Sequence, residues 1–412
     1  METAPDPARR RVLAGSAAAL AAAGFGRAAA QTTGAPPTKP ATPASAAPAA
    51  KPLPAYAAWK DPGAMIVHSA NTVETRRSAF GSGVVTPSNQ LYIRNNLPPP
   101  GADIVADRDG WQVAIAGVNN PRTLTVGELK TMGLATVAMV LQCSGNGRGY
   151  FPDKPSGTPW QVGAAGCVLW TGVPIKVVAE ALGGVAGGMK YMTSTGGEKL
   201  PEGIDPKSVM VERSVPLEAM EDALLAWEMN DDPIPLAHGG PLRVIVPGYN
   251  GVNNVKYVKQ LAFTAEQSEA NIQKTGYRLS PPGTQGNPSQ PSIWAMAPKS
   301  WITSPAPESG PAKAGPLQVT GLAFGGLHAV ERVEVSTDGG KTWQQARFVG
   351  PDLGRYAWRP FVLAVRLEPG TYTLASRATD AKGTVQDEMR IENVSGYINS
   401  SWRDHALQVT VA

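Results

Sequence analysis

The sequence predicts an α+β protein in which a mixed domain of short helices and strands precedes a β-sandwich domain. Between about residues 65 and 277, short strand patterns such as TVAMVLQC are interspersed irregularly with short helix patterns. From Leu317 onward the chain instead alternates polar and apolar residues between turn signals, which is typical of a β-sandwich. The 412 residues, 42% of them apolar, are sufficient to form two hydrophobic cores.

The elements of the mixed domain follow from local patterns. A buried strand is predicted for TVAMVLQC, and the segment PIKVVAEALGG predicts a short helix that starts at Pro174 and stops at Gly183. Further strands are predicted in three segments: ALLAWEM, PLRVIVPG and VKYVKQLAF. The composition of residues 279–300 predicts a linker, after which helical signals vanish. Asp338-Gly339-Gly340 and Pro369-Gly370 predict turns between strands of the sandwich.

The N-terminus predicts an exported protein. An arginine cluster, Arg9 to Arg11, precedes a short run of Ala, Leu and Gly and a stretch of small residues suited to cleavage. Residues 1–30 are therefore predicted to be a signal peptide of the twin-arginine type, with an ordinary secretory signal as the alternative. Residues 31–60 are predicted to form a disordered linker because the segment to Pro54 is rich in Pro, Ala and Thr.

Composition excludes several classes of function. A net charge of +4, with only 17% charged residues, gives no electrostatic basis for nucleic-acid binding. No membrane span is predicted for the mature chain. The absence of a Cys-x-x-Cys-His motif argues against covalently bound c-type haem in this chain. The 2 cysteines, Cys143 and Cys167, and 4 histidines are too few and too dispersed for a zinc or iron–sulfur site.

Cys143 stands at the end of a predicted buried strand, in the sequence LQCSGNGR. A lone cysteine in this position is most often a buried structural thiol. It is alternatively a nucleophile, which needs an activating histidine, or a ligand to a metal. In the last case, a cofactor must supply the remaining coordination. Spacing alone leaves these three interpretations open.

The segment LQCSGNGR resembles the Cys-x-Gly-Asn-x-Arg segment of the sulfite oxidase family of molybdenum enzymes. Other segments resemble that family's motifs in the same order: LYIRNNLPPP, TPWQVGAAGCVLWTGVPIKVV, LLAWEMNDDPIPLAHGGPLRVIVPGYNGVNNVKYV, TGYRLSP, VEVSTDGGKTW and ENVSGYINSSW. The resemblance runs from about residue 75 to the end. It implies a mixed α/β molybdopterin-binding domain over residues 61–285, followed by an immunoglobulin-like β-sandwich dimerisation domain over residues 286–412.

The resemblance also implies roles for individual residues. The thiolate of Cys143 would ligate the molybdenum of a pyranopterin cofactor, and a soft thiolate suits a metal that changes oxidation state. The resemblance assigns the remaining positions to substrate or cofactor contacts: Tyr277, Arg94, Arg148 and Trp160 at the catalytic pocket, and Arg94, Asn95, Asn96, Cys143, Gly145, Asn146, His238, Arg243, Val255 and Lys256 at the cofactor. Gly145 and Gly147 would let the backbone approach the cofactor closely.

Simpler interpretations exist for several of these residues. The arginines could form surface ion pairs, Trp160 could be a core residue, and Arg243 could lie at the mouth of a core strand. The chain also departs from the family pattern at two positions. Asn96 stands where a histidine is common, and Ser395 stands where animal and plant members carry a pocket arginine. His328 and His405 lie outside the motifs and are given no role, and Cys167 is predicted to be a packing residue.

By resemblance, the chain would oxidise sulfite to sulfate by oxygen-atom transfer in the periplasm. It would pass electrons to an external c-type cytochrome, and it would form a homodimer through its C-terminal domain. Within the same family, a sulfane carried by a partner protein, or a sulfoxide, is an alternative substrate. A secreted binding module with a vestigial cofactor site is the alternative from a different class of protein.

Overall fold

The computed structural model describes residues 51–412, which belong to one compact unit. The predicted signal peptide and residues 31–50 of the predicted linker lie outside the described residues. The prediction of disorder is wrong for residues 51–60, which include a short 3₁₀ helix at Ala55–Ala57. Lys60 is only 2% exposed, because its ammonium finds buried acceptors that composition alone does not reveal.

Three sheets form the N-terminal part of the described chain. The first has the antiparallel strand order β1-β2-β3 and consists of β1 (Met65–Ser69), β2 (Thr72–Thr75) and β3 (Ile93–Arg94). The second and third sheets each contain five strands. Their strands, in chain order, are β4 (Gln112–Ala116), β5 (Arg122–Thr125), β6 (Ala135–Gln142), β7 (Ala165–Pro174), β8 (Tyr191–Gly196), β9 (Glu212–Pro216), β10 (Leu224–Met229), β11 (Asp232–Pro233), β12 (Arg243–Ile245) and β13 (Val258–Thr264).

The second sheet positions Cys143. Its strand order is β11-β10-β7-β6, with β12 also paired to β10. Strands β6 and β7 pair antiparallel, from Ala135 opposite Gly172 to Gln142 opposite Ala165. The apolar run of β6 is buried at its C-terminal half, as the sequence predicts. Cys143 therefore leaves the sheet from a strand whose register is fixed by burial on both faces.

The third sheet has the order β5-β4-β13-β8-β9, in which the β13–β4 pair is parallel. The described part of the chain also contains five short α-helices: α1 (Val126–Met132), α2 (Ile175–Ala181), α3 (Pro206–Val209), α4 (Asn271–Lys274) and α5 (Trp402–His405). Helix α2 starts directly after Pro174, as predicted. Helix α1 starts at a capping box formed by Thr125 and Glu128. No helix in residues 51–412 is both long and apolar enough to cross a membrane.

The C-terminal part is a sandwich of two four-stranded sheets, which confirms the predicted fold class. One sheet has the order β14-β15-β19-β18 and the other β17-β16-β20-β21. The strands are β14 (Lys299–Ser304), β15 (Gly315–Phe324), β16 (Val330–Ser336), β17 (Gln344–Gln345), β18 (Arg347–Phe348), β19 (Arg359–Leu367), β20 (Gly370–Asp380) and β21 (Leu407–Val411). Their alternating apolar residues meet in one core, which includes Val319, Val333, Phe361 and Leu374.

The turns Asp338-Gly339-Gly340 and Pro369-Gly370 join β16 to β17 and β19 to β20, as predicted. The expectation that helices end before this domain is wrong at α5. The side chain of Ser401 caps this single turn by accepting a hydrogen bond from the backbone N–H of Asp404. One four-residue turn is too short to produce a periodic sequence signal, which explains the error.

Glu74 gives a test of how the first sheet holds the chain beyond Cys143. Its buried carboxylate accepts hydrogen bonds from the backbone N–H groups of Gln161 and Gly163 and pairs with His68 at 2.7 Å. We expect Glu74→Ala to lower the free energy of unfolding by about 2–3 kcal/mol, because two backbone donors lose their acceptor. Guanidinium denaturation measures this change. The exposed Glu331→Ala is the control, and equal stability of the two variants would contradict the expectation.

Candidate active site

Cys143 lies where two cavities meet. Its backbone N–H donates to the carbonyl of Ala164 at 2.9 Å, which holds the first residue after β6 against the start of β7. A deep cavity lies on one side, and a more open pocket lies on the other. Both are lined by Cys143 and by four other residues that the sequence predicted for the site: Arg94, Asn95, Asn96 and Tyr277.

The deep cavity brings four predicted cofactor residues from one continuous segment of the chain, His238, Arg243, Val255 and Lys256, next to Arg94 and Cys143 from earlier segments. Arg243 is fixed by two backbone carbonyls, those of Asn254 at 3.1 Å and His238 at 2.8 Å. Lys256 donates to Asn95 Oδ1 and to the carbonyl of Ala237, both at 2.6 Å. The structure thus places the predicted residues in one cavity wall, and their role in holding a cofactor stays a prediction.

The cations of the deep cavity form no ion pair with a described residue, although the carboxyl of Glu198 lines the same cavity. Within residues 51–412, no carboxylate lies within ion-pair distance of Arg94, Arg243 or Lys256. Burial lowers the pKa of Arg243 to about 10 and also lowers the pKa of Lys256. Burying cations without counterions is unfavourable, so this arrangement is suited to an anionic ligand. The alternative of a surface ion pair is therefore wrong for Arg94, whereas Arg243 does begin strand β12, as its own alternative interpretation described.

Glu198 is a cavity residue that sequence reasoning missed. It follows the glycines after β8 and lines the deep cavity, where its Oε2 is buried without a hydrogen-bond partner. Burial raises the pKa of this carboxyl to about 7, and the nearby Lys256 partly opposes that rise. The surrounding sequence TGGEKLPEG resembles an exposed loop, so it held no signal for this role. An orphaned acceptor in the cavity wall is suited to a ligand that donates hydrogen bonds.

Glu198 predicts a pH dependence of the cofactor-free protein. Its pKa in the folded state, about 7, lies above the ordinary value of 4.5, so the folded protein binds the proton more tightly. The free energy of unfolding therefore falls as the pH rises from 4.5 to 7, and the deficit is complete above pH 7. We expect Glu198→Gln to be more stable than the parent by about 1–3 kcal/mol at pH 7.5 and similar to it at pH 4.5. Denaturant titrations at both pH values measure this, and a pH-independent difference would contradict it.

The loop after Cys143 is fixed by close packing of its own side chains. A Cβ at Gly145 would lie 2.6–2.7 Å from the Arg148 guanidinium, and Gly147 adopts φ +92° against Asn399 and His405. These glycines therefore admit neighbouring side chains, and a close approach of their backbone to the cofactor stays a prediction. Asn146 donates to Gln142 Oε1 at 2.9 Å and accepts from the N–H of Ala164 at 3.2 Å. Gly145 and Asn146 line neither cavity and act by shaping the loop.

Arg148 forms one wall of the open pocket. It is only 8% exposed, and its guanidinium donates to the carbonyls of Ser395 at 2.8 Å and Thr158 at 3.0 Å. Its central carbon lies 5.3 Å from the ring centroid of Tyr397. Tyr397 in turn stacks on Tyr277, with ring centroids 4.9 Å apart. Arg148 thus presents a fixed positive charge beside Cys143, and no acid neutralises it within ion-pair distance in the described chain.

Trp160 is placed apart from the other predicted catalytic residues. It is fully buried in the cluster that also contains Cys143, and it lines neither cavity. Its ring packs edge-on against Tyr92 and His68. The core interpretation considered from sequence therefore describes its position. Cys167 is also fully buried, and burial raises the pKa of its thiol to about 12, in agreement with a packing role.

The C-terminal domain braces the Cys143 loop, which the sequence did not reveal. The N–H of Ile398 donates to the carbonyl of Ser144 at 2.8 Å, and Asn399 Nδ2 donates to the carbonyl of Gly147 at 3.1 Å. The buried Lys299 lies behind them and donates to the carbonyl of Asn399 at 2.8 Å. His405, which received no role from sequence, is buried against Gly147. The two domains therefore build the site together.

Comparison with known protein families identifies the class of protein. Residues 100–272 match the model of the oxidoreductase molybdopterin binding domain, and residues 290–411 match that of the Mo-co oxidoreductase dimerisation domain. The fold and the cavity beside Cys143 are thus those of a molybdopterin-binding oxidoreductase. Since sulfite oxidase from Gallus gallus is 30% identical over 77% of this chain and 72% of its own length, the chain belongs to the sulfite oxidase family.

Other relatives show the breadth of that similarity. Mitochondrial sulfite oxidase from Macaca fascicularis is 30% identical over 80% of this chain, which spans 62% of that relative's length. Nitrate reductase [NAD(P)H] from Hordeum vulgare is 31% identical over 81% of this chain and 40% of its own length. Among solved structures, the sulfane dehydrogenase SoxCD from Paracoccus pantotrophus superposes with a TM-score of 0.69 at 25% identity, covering 84% of this chain and 89% of that one.

The residues of the deep cavity fit a molybdenum–pterin cofactor. Cys143 lines both cavities, so its soft thiolate would be a protein ligand to a metal whose other ligands arrive with the cofactor. The unpaired cations Arg243 and Lys256 fit the phosphate of such a cofactor. The orphaned oxygen of Glu198 fits the donor edge of a pterin.

Proposed function

We propose that this protein oxidises sulfite to sulfate at the junction of the two cavities. The observation that supports this most directly is the pair Arg94 and Arg148, which line the open pocket beside Cys143 without acidic partners. Guanidinium groups hold the oxygens of small anions by directed hydrogen bonds. Oxygen-atom transfer and uptake of two electrons are the chemistry that the bound molybdenum cofactor supplies.

The residues of the chain bind and orient the substrate. Arg148 is held in position by two backbone carbonyls, so little reorganisation is needed when an anion binds. Tyr277 lines both cavities and is stacked on Tyr397, which places its hydroxyl as a hydrogen-bond donor or acceptor at the junction. The overall conversion takes up one water molecule and releases two protons and two electrons for each sulfite oxidised.

The electrons require an acceptor outside the chain, and we propose a c-type cytochrome. The N-terminal arginine cluster supports export, by which the enzyme would act in the periplasm. The match to a dimerisation domain supports a homodimer. Sedimentation of the purified protein at micromolar concentration tests this, and a monomer as the sole species would contradict it.

A larger sulfur substrate is the second candidate. The pocket beside Cys143 is open on one side, and the structural similarity to a sulfane dehydrogenase supports a sulfane carried by a partner protein. Ser395 contributes only its backbone carbonyl to Arg148. Because serine is uncharged, the pocket carries one positive charge fewer than in family members that have an arginine at this position. A low affinity of the pocket for free sulfite would favour the larger substrate.

An anaerobic absorption spectrum, recorded before and after addition of sulfite, tests the proposal. A thiolate-to-molybdenum band that bleaches on sulfite addition is the expected result. A band that persists would retain the cofactor and contradict sulfite as the substrate, and a carrier-bound sulfane or a sulfoxide would then be tested in the same way. Protein without molybdenum from a host that makes the cofactor would favour the non-catalytic binding module.

A further inference from the structure

Lys60 is a buried lysine that lies outside the sequence motifs and outside the matched family domains, so neither assigns it a role. It precedes the matched molybdopterin-binding domain by 40 residues, counting from residue 60 to residue 100. Its side chain is almost completely enclosed, being 2% exposed. Its Nζ lies 2.6 Å from the carbonyl oxygen of Ser88, 2.5 Å from that of Leu91 and 2.7 Å from Nε2 of His238.

These three neighbours account for the hydrogen-bonding capacity of an ammonium group. A charged lysine has three N–H donors and no acceptor. Two of its donors are taken by the carbonyls, so the third points to His238 Nε2, which must then carry a lone pair. Burial lowers the pKa of Lys60. The two carbonyl acceptors and the ring of Trp59, whose centroid lies 4.5 Å from the Nζ, act in the opposite direction and favour the cationic form. Burial and the adjacent Lys60 both lower the pKa of His238, in agreement with a neutral imidazole.

The tautomer of His238 follows from this arrangement. A neutral imidazole whose Nε2 accepts a hydrogen bond carries its proton on Nδ1. Within residues 51–412, no protein group forms a hydrogen bond with that Nδ1, and His238 lines the deep cavity. The N–H on Nδ1 thus remains available to a ligand in the cavity.

The turn that carries His238 is held by basic residues on several sides. Lys60 contacts its imidazole, Arg243 donates to its carbonyl and Lys256 donates to the carbonyl of Ala237. No carboxylate of the described chain lies within ion-pair distance of Lys60. In its charged form, Lys60 therefore adds a positive charge to a wall that already contains Arg243 and Lys256, and this wall is suited to an anionic ligand.

We propose that Lys60 is a positioning residue for the anionic molybdenum–pterin cofactor. It fixes His238 as the Nδ1–H tautomer, so that this side chain donates a hydrogen bond into the cavity, and it supplies an uncompensated charge directly behind the imidazole. The segment that contains Lys60, which precedes the matched domain, is then part of the cofactor site and not only a connection to that domain. This inference rests on the cofactor assignment and is independent of the proposed substrate.

Nitrogen-15 NMR of the full-length, molybdenum-loaded protein, labelled at its 4 histidines, tests the tautomer directly. The signal of His238 is assigned by its absence from His238→Gln. We expect a protonated Nδ1 and an unprotonated Nε2 in the parent protein. The same spectrum of Lys60→Met should show a mixture of tautomers or protonation at Nε2. A protonated Nε2 in the parent would overturn the proposal, because the lysine would then be a neutral acceptor.

Cofactor retention gives a second readout that does not depend on turnover. We expect the molybdenum-to-protein ratio after purification and dialysis to fall about 10-fold in Lys60→Met, in the range found when an outer partner of a metal site is lost. Lys60→Gln keeps a donor to Nε2 but lacks the charge, so it should preserve the tautomer and retain an intermediate amount of molybdenum. The exposed Lys51→Met, which removes a lysine bonded to one carbonyl, is the matched control.

The outcomes separate this inference from the proposed function. Thermal unfolding of each variant shows whether the fold survives, and Lys60→Gln provides the test if Lys60→Met does not fold. Unchanged tautomer and unchanged molybdenum retention in a folded Lys60→Met would overturn the inference. Molybdenum-loaded parent protein that shows the Nδ1–H signal but does not oxidise sulfite would support the inference while contradicting the sulfite proposal.

Discussion

Replacing Cys143 by serine should abolish oxidation of sulfite while leaving the fold intact. Among residues 51–412, Cys143 is the one that lines both cavities and offers a soft ligand. We expect kcat to fall by more than about 100-fold, because loss of an outer partner of a metal site alone reduces activity by up to that factor. Sulfite oxidation is measured with an artificial electron acceptor, and the absorption spectrum should lose its thiolate-to-metal band.

The chain offers a matched control in its second cysteine. Cys167 lies on β7 next to β6, directly opposite Val140, and is also fully buried. Cys167→Ala should lower the free energy of unfolding by about 1 kcal/mol through the small cavity it leaves, with kcat and the spectrum unchanged. Equal loss of activity in both variants would show that the effect of Cys143→Ser arises from disturbed packing, and would contradict the assignment of Cys143 as the ligand.

Replacing Arg148 by lysine should weaken the binding of sulfite more than it slows turnover. One ammonium cannot occupy the positions of both guanidinium nitrogens that reach Ser395 and Thr158. The positive charge would then be free to move away from Cys143. A hydrogen bond to a charged group contributes about 1.5–3 kcal/mol, so we expect KM to rise about 10–100-fold. Steady-state kinetics over a range of sulfite concentrations measures the change.

Arg122→Lys is the control for this experiment. Arg122 forms an exposed ion pair with Glu128 on the surface, and its replacement should leave both kinetic constants unchanged. A KM for sulfite that is unaffected by Arg148→Lys would contradict the proposed anion pocket. If that variant instead lost activity only with a larger sulfur compound, the second candidate substrate would be favoured.

Much of the site could be predicted because its residues belong to contiguous motifs at the ends of strands. Arg94 ends β3, Cys143 follows β6 and Arg243 begins β12, so their local patterns already identify where the chain leaves each sheet. Glu198 and Lys60 were missed for the opposite reason. Each stands in a polar or proline-rich segment that looks exposed, and burial is a property of what packs over a residue.

The sequence alone determined the order of the two domains, the strand that delivers Cys143 and the resemblance that defines its family. Those features depend on short-range periodicity and on motifs of a few residues. Only the tertiary structure decided which groups surround the cysteine. Residues 393–405 brace its loop from the other domain, and Lys60 reaches His238 across 178 positions of sequence. Such contacts depend on how sheets pack, because hydrogen bonds and charges act across space whatever their separation along the chain.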